Sequence, residues 1–198
     1  MRSIDVLIEG NLEFSGACNK EKMKKLSLGQ SPKILWIGCS DSRVCPETIT
    51  NVDLGNIFVH RNIANQVSTR DLNGLSVIEY AVKFLKVDTI IVCGHTGCGG
   101  VKASLEGLEG TDYIGEWIKD LSLLAKKTKQ SYPELSLEAL ESKLLELNIT
   151  QQINCLKELP IVKEALKENV YLNLYGCLFD IAKGKLEMIT TVGGRDEN

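Results

Sequence analysis

Two short apolar runs, KILWIGC from Lys33 to Cys39 and DTIIVCGH from Asp88 to His95, confine this chain to a narrow set of folds. Each is too short for a buried helix and rich in β-branched residues, so each reads as a buried strand. NIFVH, from Asn56, reads as another, and Leu72, Leu75, Ile78, Val82 and Leu85 then mark one face of a helix. Strands separated by helices imply a mostly parallel sheet covered on both faces, an α/β fold.

The rest of the chain extends that pattern. From Thr111 to Leu159 the periodicity is helical, with one stripe at Ile114, Trp117, Ile118, Leu121 and Leu124 and another at Leu137, Leu140, Leu144 and Leu147. Pro160 opens a short helix, NVYLNLYGCLF from Asn169 reads as a strand, and KLEMITTV from Lys185 alternates like an edge strand with one wet face. Residues 1–30 read as a helical arm, with Ile4, Leu7, Ile8 and Leu12 at helical spacing and a solvated Lys20–Lys25 stretch. No repeat or linker divides the 198 residues, so residues 1–198 read as a single domain.

Composition narrows the partners. With 23 basic and 26 acidic residues the net charge is −3, which gives no electrostatic basis for binding nucleic acid or an anionic membrane. Asp5, Glu9 and Glu13 interrupt the first apolar stretch, which reads as neither a signal peptide nor a membrane span. Seven cysteines without such a signal point to reduced thiols in the cytoplasm.

Two segments carry chemistry: C-S-D-S-R from Cys39 to Arg43, and H-T-G-C from His95 to Cys98. Cys39 and His95 each close an expected parallel strand, and the carboxyl ends of strands in open α/β sheets are where sites gather. Cys98 precedes Gly99-Gly100, which reads as a helix start, where unpaired amides and the helix dipole favour a thiolate. Two soft sulfurs and an imidazole select zinc over magnesium or calcium. Three protein ligands leave a fourth position open, the layout of a catalytic site.

With these motifs the chain resembles the β-class carbonic anhydrases over nearly its full length, through LWIGCSDSRV (from Leu35), FVHRNIANQV (from Phe58) and IVCGHTGCGG (from Ile91). The resemblance implies a central four-stranded parallel sheet with a fifth edge strand, flanked by helices. It also implies N-terminal helices packed on a dimer partner, in a homodimer or a dimer of dimers. Its implied activity is reversible hydration of CO2 to bicarbonate and a proton by hydroxide on zinc, one Zn2+ per subunit. Two thiolates cancel the metal's charge, so the site needs help to ionise water. Asp41 would accept a hydrogen bond from the attacking group, and Arg43 would hold that carboxylate ionised and off the metal in a bidentate fork.

The resemblance further assigns Phe58, Ile63 and Tyr80 to an apolar CO2 pocket, with Gln30 and the Gly99 amide as hydrogen-bond donors to substrate. His60 reads as a structural histidine with a proton shuttle as the alternative, and the five other cysteines as small buried hydrophobes. Some family members bind inhibitory bicarbonate with a Trp, an Arg and a Tyr. Trp36 and Arg61 match the first two, but Phe179 lacks the third hydroxyl. One lost hydrogen bond to an anion costs about 1.5–3 kcal/mol, so bicarbonate inhibition is expected to be weak. Two other readings remain at this point: hydrolysis of carbonyl sulfide or carbon disulfide on the same scaffold, and a non-catalytic structural zinc protein.

Overall fold

The computed structural model describes residues 2–107, 112–168 and 172–193, and the chain divides into two compact units, Met1–Ser31 and Pro32–Asn198. The first unit is helical. It holds α1 (Ser3–Ala17) and α2 (Lys20–Leu26), the latter capped by Asn19, whose side chain accepts the Lys22 amide at 3.0 Å. No residue of α1 is buried: Ile4, Leu7, Ile8 and Leu12 are all more than half exposed. Its apolar stripe therefore forms without a core to receive it.

The second unit is built on a five-stranded sheet of order β2-β1-β3-β4-β5, comprising β1 (Ile34–Cys39), β2 (Ile57–Asn62), β3 (Thr89–His95), β4 (Asn173–Asp180) and β5 (Lys185–Gly193). The first four strands run parallel and β5 returns antiparallel along β4, as the sequence led us to expect. Residues 169–171, which open the NVYLNLYGCLF run, lie outside the described residues, as does Thr111. The edge strand β5 alternates less cleanly than expected, with Met188 64% exposed opposite a bulge at Gly176/Cys177.

Helices cover the sheet: α3 (Pro46–Thr50), α4 (Leu72–Glu79), α5 (Gly99–Glu106), α6 (Tyr113–Trp117), α7 (Lys119–Ser131), α8 (Leu137–Glu158) and α9 (Pro160–Glu168). One core sets Leu35, Ile37, Ile90, Val92 and Leu174 of the strands against Ile78, Ile153, Leu156 and Val162. Full burial of each such side chain contributes about 1.5–3 kcal/mol. A second core, at the carboxyl ends of the strands, joins Cys39, Ala64 and Cys98 to residues of α5, α7 and α8.

Three sequence expectations shift. Leu72 stands at the first position of α4 and is 81% exposed, so the buried face of that helix begins at Leu75. Past Glu79 the helix widens into a π-helical turn over Tyr80–Leu85. In α8 the inner face is Leu140, Leu144, Leu145, Asn148, Ile149, Gln152, Ile153 and Leu156, while Leu137 is exposed. This face lies hard against the sheet because Gly176 has no side chain: a Cβ there would sit 2.7 Å from the Ile149 methyl.

Candidate metal centre

Because β1 and β3 are hydrogen-bonded neighbours running the same way, their last residues, Cys39 and His95, emerge at one edge of the sheet. A tight turn then brings in the third residue. Gly97 takes φ +64°, a left-handed value that glycine adopts freely, and Cys98 follows as the residue capping α5. The two sulfurs are 3.9 Å apart, and the ligand atoms of Cys39, His95 and Cys98 all lie within 4.8 Å of one another. All three residues are buried.

The local chemistry prepares them to bind a cation. His95 Nδ1 lies 3.1 Å from the Thr96 carbonyl, which can only accept, so Nδ1 carries the proton and Nε2 presents its lone pair to the sulfurs. That Nε2 is buried and has no protein partner. Thr96 is itself fixed, its N–H donating to the Phe179 carbonyl and its Oγ1 accepting from the Ile181 N–H, both at 3.0 Å. The Cys39 thiol is lowered to about 4, chiefly by its hydrogen bond with Cys98, with the backbone N–H groups of Ala64 and Asp41 assisting against burial. Beside that thiolate, and buried, Cys98 is pushed up. A thiolate, a thiol sharing its proton and an aimed imidazole lone pair fit a soft divalent ion, whose binding would displace the shared proton.

Asp41 and Arg43 form the expected fork. Arg43 Nε and Nη2 donate to the two carboxylate oxygens at 2.9 and 2.7 Å, and the Arg43 backbone N–H adds a third bond at 2.9 Å. These hydrogen bonds hold Asp41 well below the usual carboxylate range. Arg43 Nη2 also donates to the Gly97 carbonyl at 3.1 Å, tying the two ligand-bearing loops together. Asp41 Oδ2 lies 3.8 Å from His95 Nε2, which places the carboxylate at the rim of the cluster.

Of the other expected site residues, Phe58 and Tyr80 come together, ring centroids 5.8 Å apart, and Phe84 stacks on Tyr80 at 5.3 Å. Ile63 stands in the turn after β2, 38% exposed, and Gly99 is exposed at the start of α5. Gln30 belongs to the N-terminal unit, on the exposed chain that follows α2. Trp36 and Phe179 share a packed cluster on one sheet face, with the buried Trp36 Nε1 unpartnered. Arg61, by contrast, is engaged with backbone: it donates to the Cys39 carbonyl at 2.8 Å and to the Asp41 carbonyl. Its guanidinium thereby props the loop that carries Asp41.

Cys93 and Cys177 are buried neighbours in register, but Cys45 is exposed and Cys18 and Cys155 only partly covered, so the expectation of buried hydrophobes holds for two of the five. Sequence reasoning passed over Ala64 and Asn65, in the turn between β2 and α4, and the buried amides of α8 beneath it. Left-handed residues in an IAN segment leave no compositional signal.

His60 is buried between β2 and α4, 3.2 Å from Asn62 Nδ2 and 3.9 Å from Asp71 Oδ2. Burial lowers its pKa below the ordinary 6.5, outweighing the nearby Asp71 carboxylate. Below pH 6.5 the unfolded chain therefore takes up a proton that the native state refuses, and stability falls as pH drops toward the native value. His60→Gln is expected to flatten the fall in Tm between about pH 7 and about pH 5.5. An unchanged slope would show that other groups govern it.

Residues 34–186 match the carbonic anhydrase family. The chain is 39% identical to a carbonic anhydrase of Emericella nidulans, across 92% of this chain and 82% of that protein. Among solved structures it is similar to a tetrameric β-carbonic anhydrase of Sordaria macrospora, with TM-score 0.92 and 34% identity over 96% of this chain and 99% of the other. It is likewise similar to the Coccomyxa β-carbonic anhydrase solved with acetazolamide, with TM-score 0.91 and 32% identity over 98% and 90% of the two chains.

Proposed function

Since the chain belongs to the β-class carbonic anhydrases and so catalyses the reversible hydration of CO2, we propose that the reaction runs at one zinc ion per subunit, held by Cys39, His95 and Cys98. The observation that carries the assignment is the buried, unpartnered Nε2 of His95 facing two sulfurs 3.9 Å apart. When bound, zinc brings the ionisation of a coordinated water close to neutrality and so supplies the nucleophile.

The chain's own residues do the rest. Asp41, ionised by the Arg43 fork, accepts a proton-bearing donor at the rim of the cluster and orients it. Arg43 keeps the carboxylate turned toward itself, and so out of the cluster that it borders at 3.8 Å. The paired rings of Phe58 and Tyr80, with Ile63, offer an apolar surface for CO2, and the Gly99 amide is a donor for its oxygens. The alternative reactions on carbonyl sulfide and carbon disulfide, and a purely structural zinc role, find no support in these similarities.

A homodimer, or a dimer of dimers, gives the exposed apolar residues of α1 and the unpaired edge of β2 something to cover them. The free state of all seven cysteines favours a reducing, cytoplasmic setting. With Phe179 offering no hydroxyl and Arg61 engaged with backbone carbonyls, regulatory bicarbonate binding is weak.

The test is stopped-flow CO2 hydration with a pH indicator, run on purified protein whose zinc content is measured in parallel. The expected result is stoichiometric zinc with hydration far above buffer. Stoichiometric zinc without hydration would overturn the reading.

A further inference from the structure

Immediately after β2 the backbone adopts a conformation that L-residues avoid. Ala64 and Asn65 are both left-handed, at φ +60° and +50°. Alanine enters that region only against a clash of its Cβ with the following carbonyl. Side chains from elsewhere hold the turn in place. The Ala64 carbonyl accepts two amide donors, Gln66 Nε2 at 2.6 Å and Asn148 Nδ2 at 3.2 Å. Asn148 Oδ1 in turn receives Gln66 Nε2 and Gln152 Nε2, both at 2.9 Å. Gln152 Oε1 accepts the Val67 N–H at 2.8 Å, and its Nε2 lies 3.3 Å from Gln66 Oε1.

Asn148 and Gln152 sit one turn apart on the inner face of α8, 0% and 2% exposed, among leucines and isoleucines. Packing alone would favour apolar residues at both positions. What the amides add is a matched set of donors and acceptors for the Ala64 carbonyl and the Val67 N–H, which in a low-dielectric interior is costly to break.

The turn they hold touches both sulfur ligands. Ala64 packs in one cluster with Cys39 and Cys98. Ile63 and Ala64 also press on α5 just beyond Cys98: a Cβ on Gly100 would stand 2.9 Å from each side chain.

We propose that Asn148 and Gln152, with Gln66, are positioning residues of the metal centre, locking the Ala64–Asn65 turn and through it the Cys39 sulfur. The inference rests on the reading that Cys39, His95 and Cys98 bind zinc. A polar pair 50 residues beyond the last ligand thus controls how firmly the ion is held.

The full-length zinc protein provides the test, with three readouts: zinc affinity by chelator competition, the absorption bands of the cobalt(II)-substituted form, and Tm. Asn148→Ala is expected to weaken zinc by about 10-fold, the low end of the cost of losing a direct partner of a ligand because Asn148 acts through Ala64, and to move the thiolate-to-cobalt bands. Ile153→Ala, on the same helix but in the sheet-facing core, lowers Tm while leaving affinity and bands as they were. Adding Ala64→Gly to Asn148→Ala restores much of the affinity, because glycine takes the left-handed φ without the Cβ clash that the amides otherwise offset. Should Asn148→Ala fail to fold, Gln152→Leu, which removes only the outer rung, carries the same comparison. The inference is overturned if the folded ladder variant binds zinc within about twofold of the unaltered protein with unchanged cobalt bands. Absence of zinc from the unaltered protein would instead strike the ligand assignment itself.

Discussion

Cys98→Ala is expected to yield a folded protein without stoichiometric zinc and with CO2 hydration at the level of buffer. Cys98 is fully buried among Val101 and Leu105, where alanine keeps most of the packing, so the loss is chemical more than structural. Two remaining ligands, Cys39 and His95, cannot hold the ion against competition. The fall in affinity therefore exceeds the roughly 100-fold upper range for removing an outer-sphere partner. Metal analysis and stopped-flow hydration check both halves, and stripping the unaltered enzyme with a chelator should reproduce the loss reversibly. Retained hydration in zinc-free protein would remove the metal from the mechanism.

Asp41→Asn is the second large effect, and it separates orientation from metal binding. Asparagine keeps one acceptor but loses the charge that the Arg43 fork is built to hold, with its contacts at 2.9 and 2.7 Å. A positioned proton acceptor is worth about 10²–10⁴-fold, and a loss of about 100-fold in kcat/KM with unchanged zinc content is expected. The sign of the pH effect follows from the depressed carboxylate. Asp41 is ionised throughout the neutral range, so it contributes no limb to the pH–rate profile there. Asn at this position lowers the height of the profile and leaves its shape. A shifted acid limb would mean that Asp41 titrates during turnover.

The strands and the ligand residues were legible because each depends on one local signal. KILWIGC and DTIIVCGH are apolar, short and bounded by turns, and a Cys or His at the carboxyl end of a parallel strand goes where neighbouring strands end. The inner face of α8 was not legible, since periodicity counts apolar residues and Asn148 and Gln152 counted as polar although they point inward. The same blindness placed Leu72 inside, where the start of a helix leaves it in solvent. The family resemblance singled out Arg61 but could not tell that its donors go to the carbonyls of Cys39 and Asp41. Where an exposed or half-buried polar side chain sends its hydrogen bonds is decided by chain segments dozens of residues away.

The bond from Arg43 to the Gly97 carbonyl joins the Cys39 loop to the Cys98 loop. Two sulfurs and an imidazole are a poor host for magnesium, which keeps its waters and demands six oxygens in an octahedron. The guanidinium that governs the carboxylate thus also sets the spacing of the two loops that carry the sulfurs.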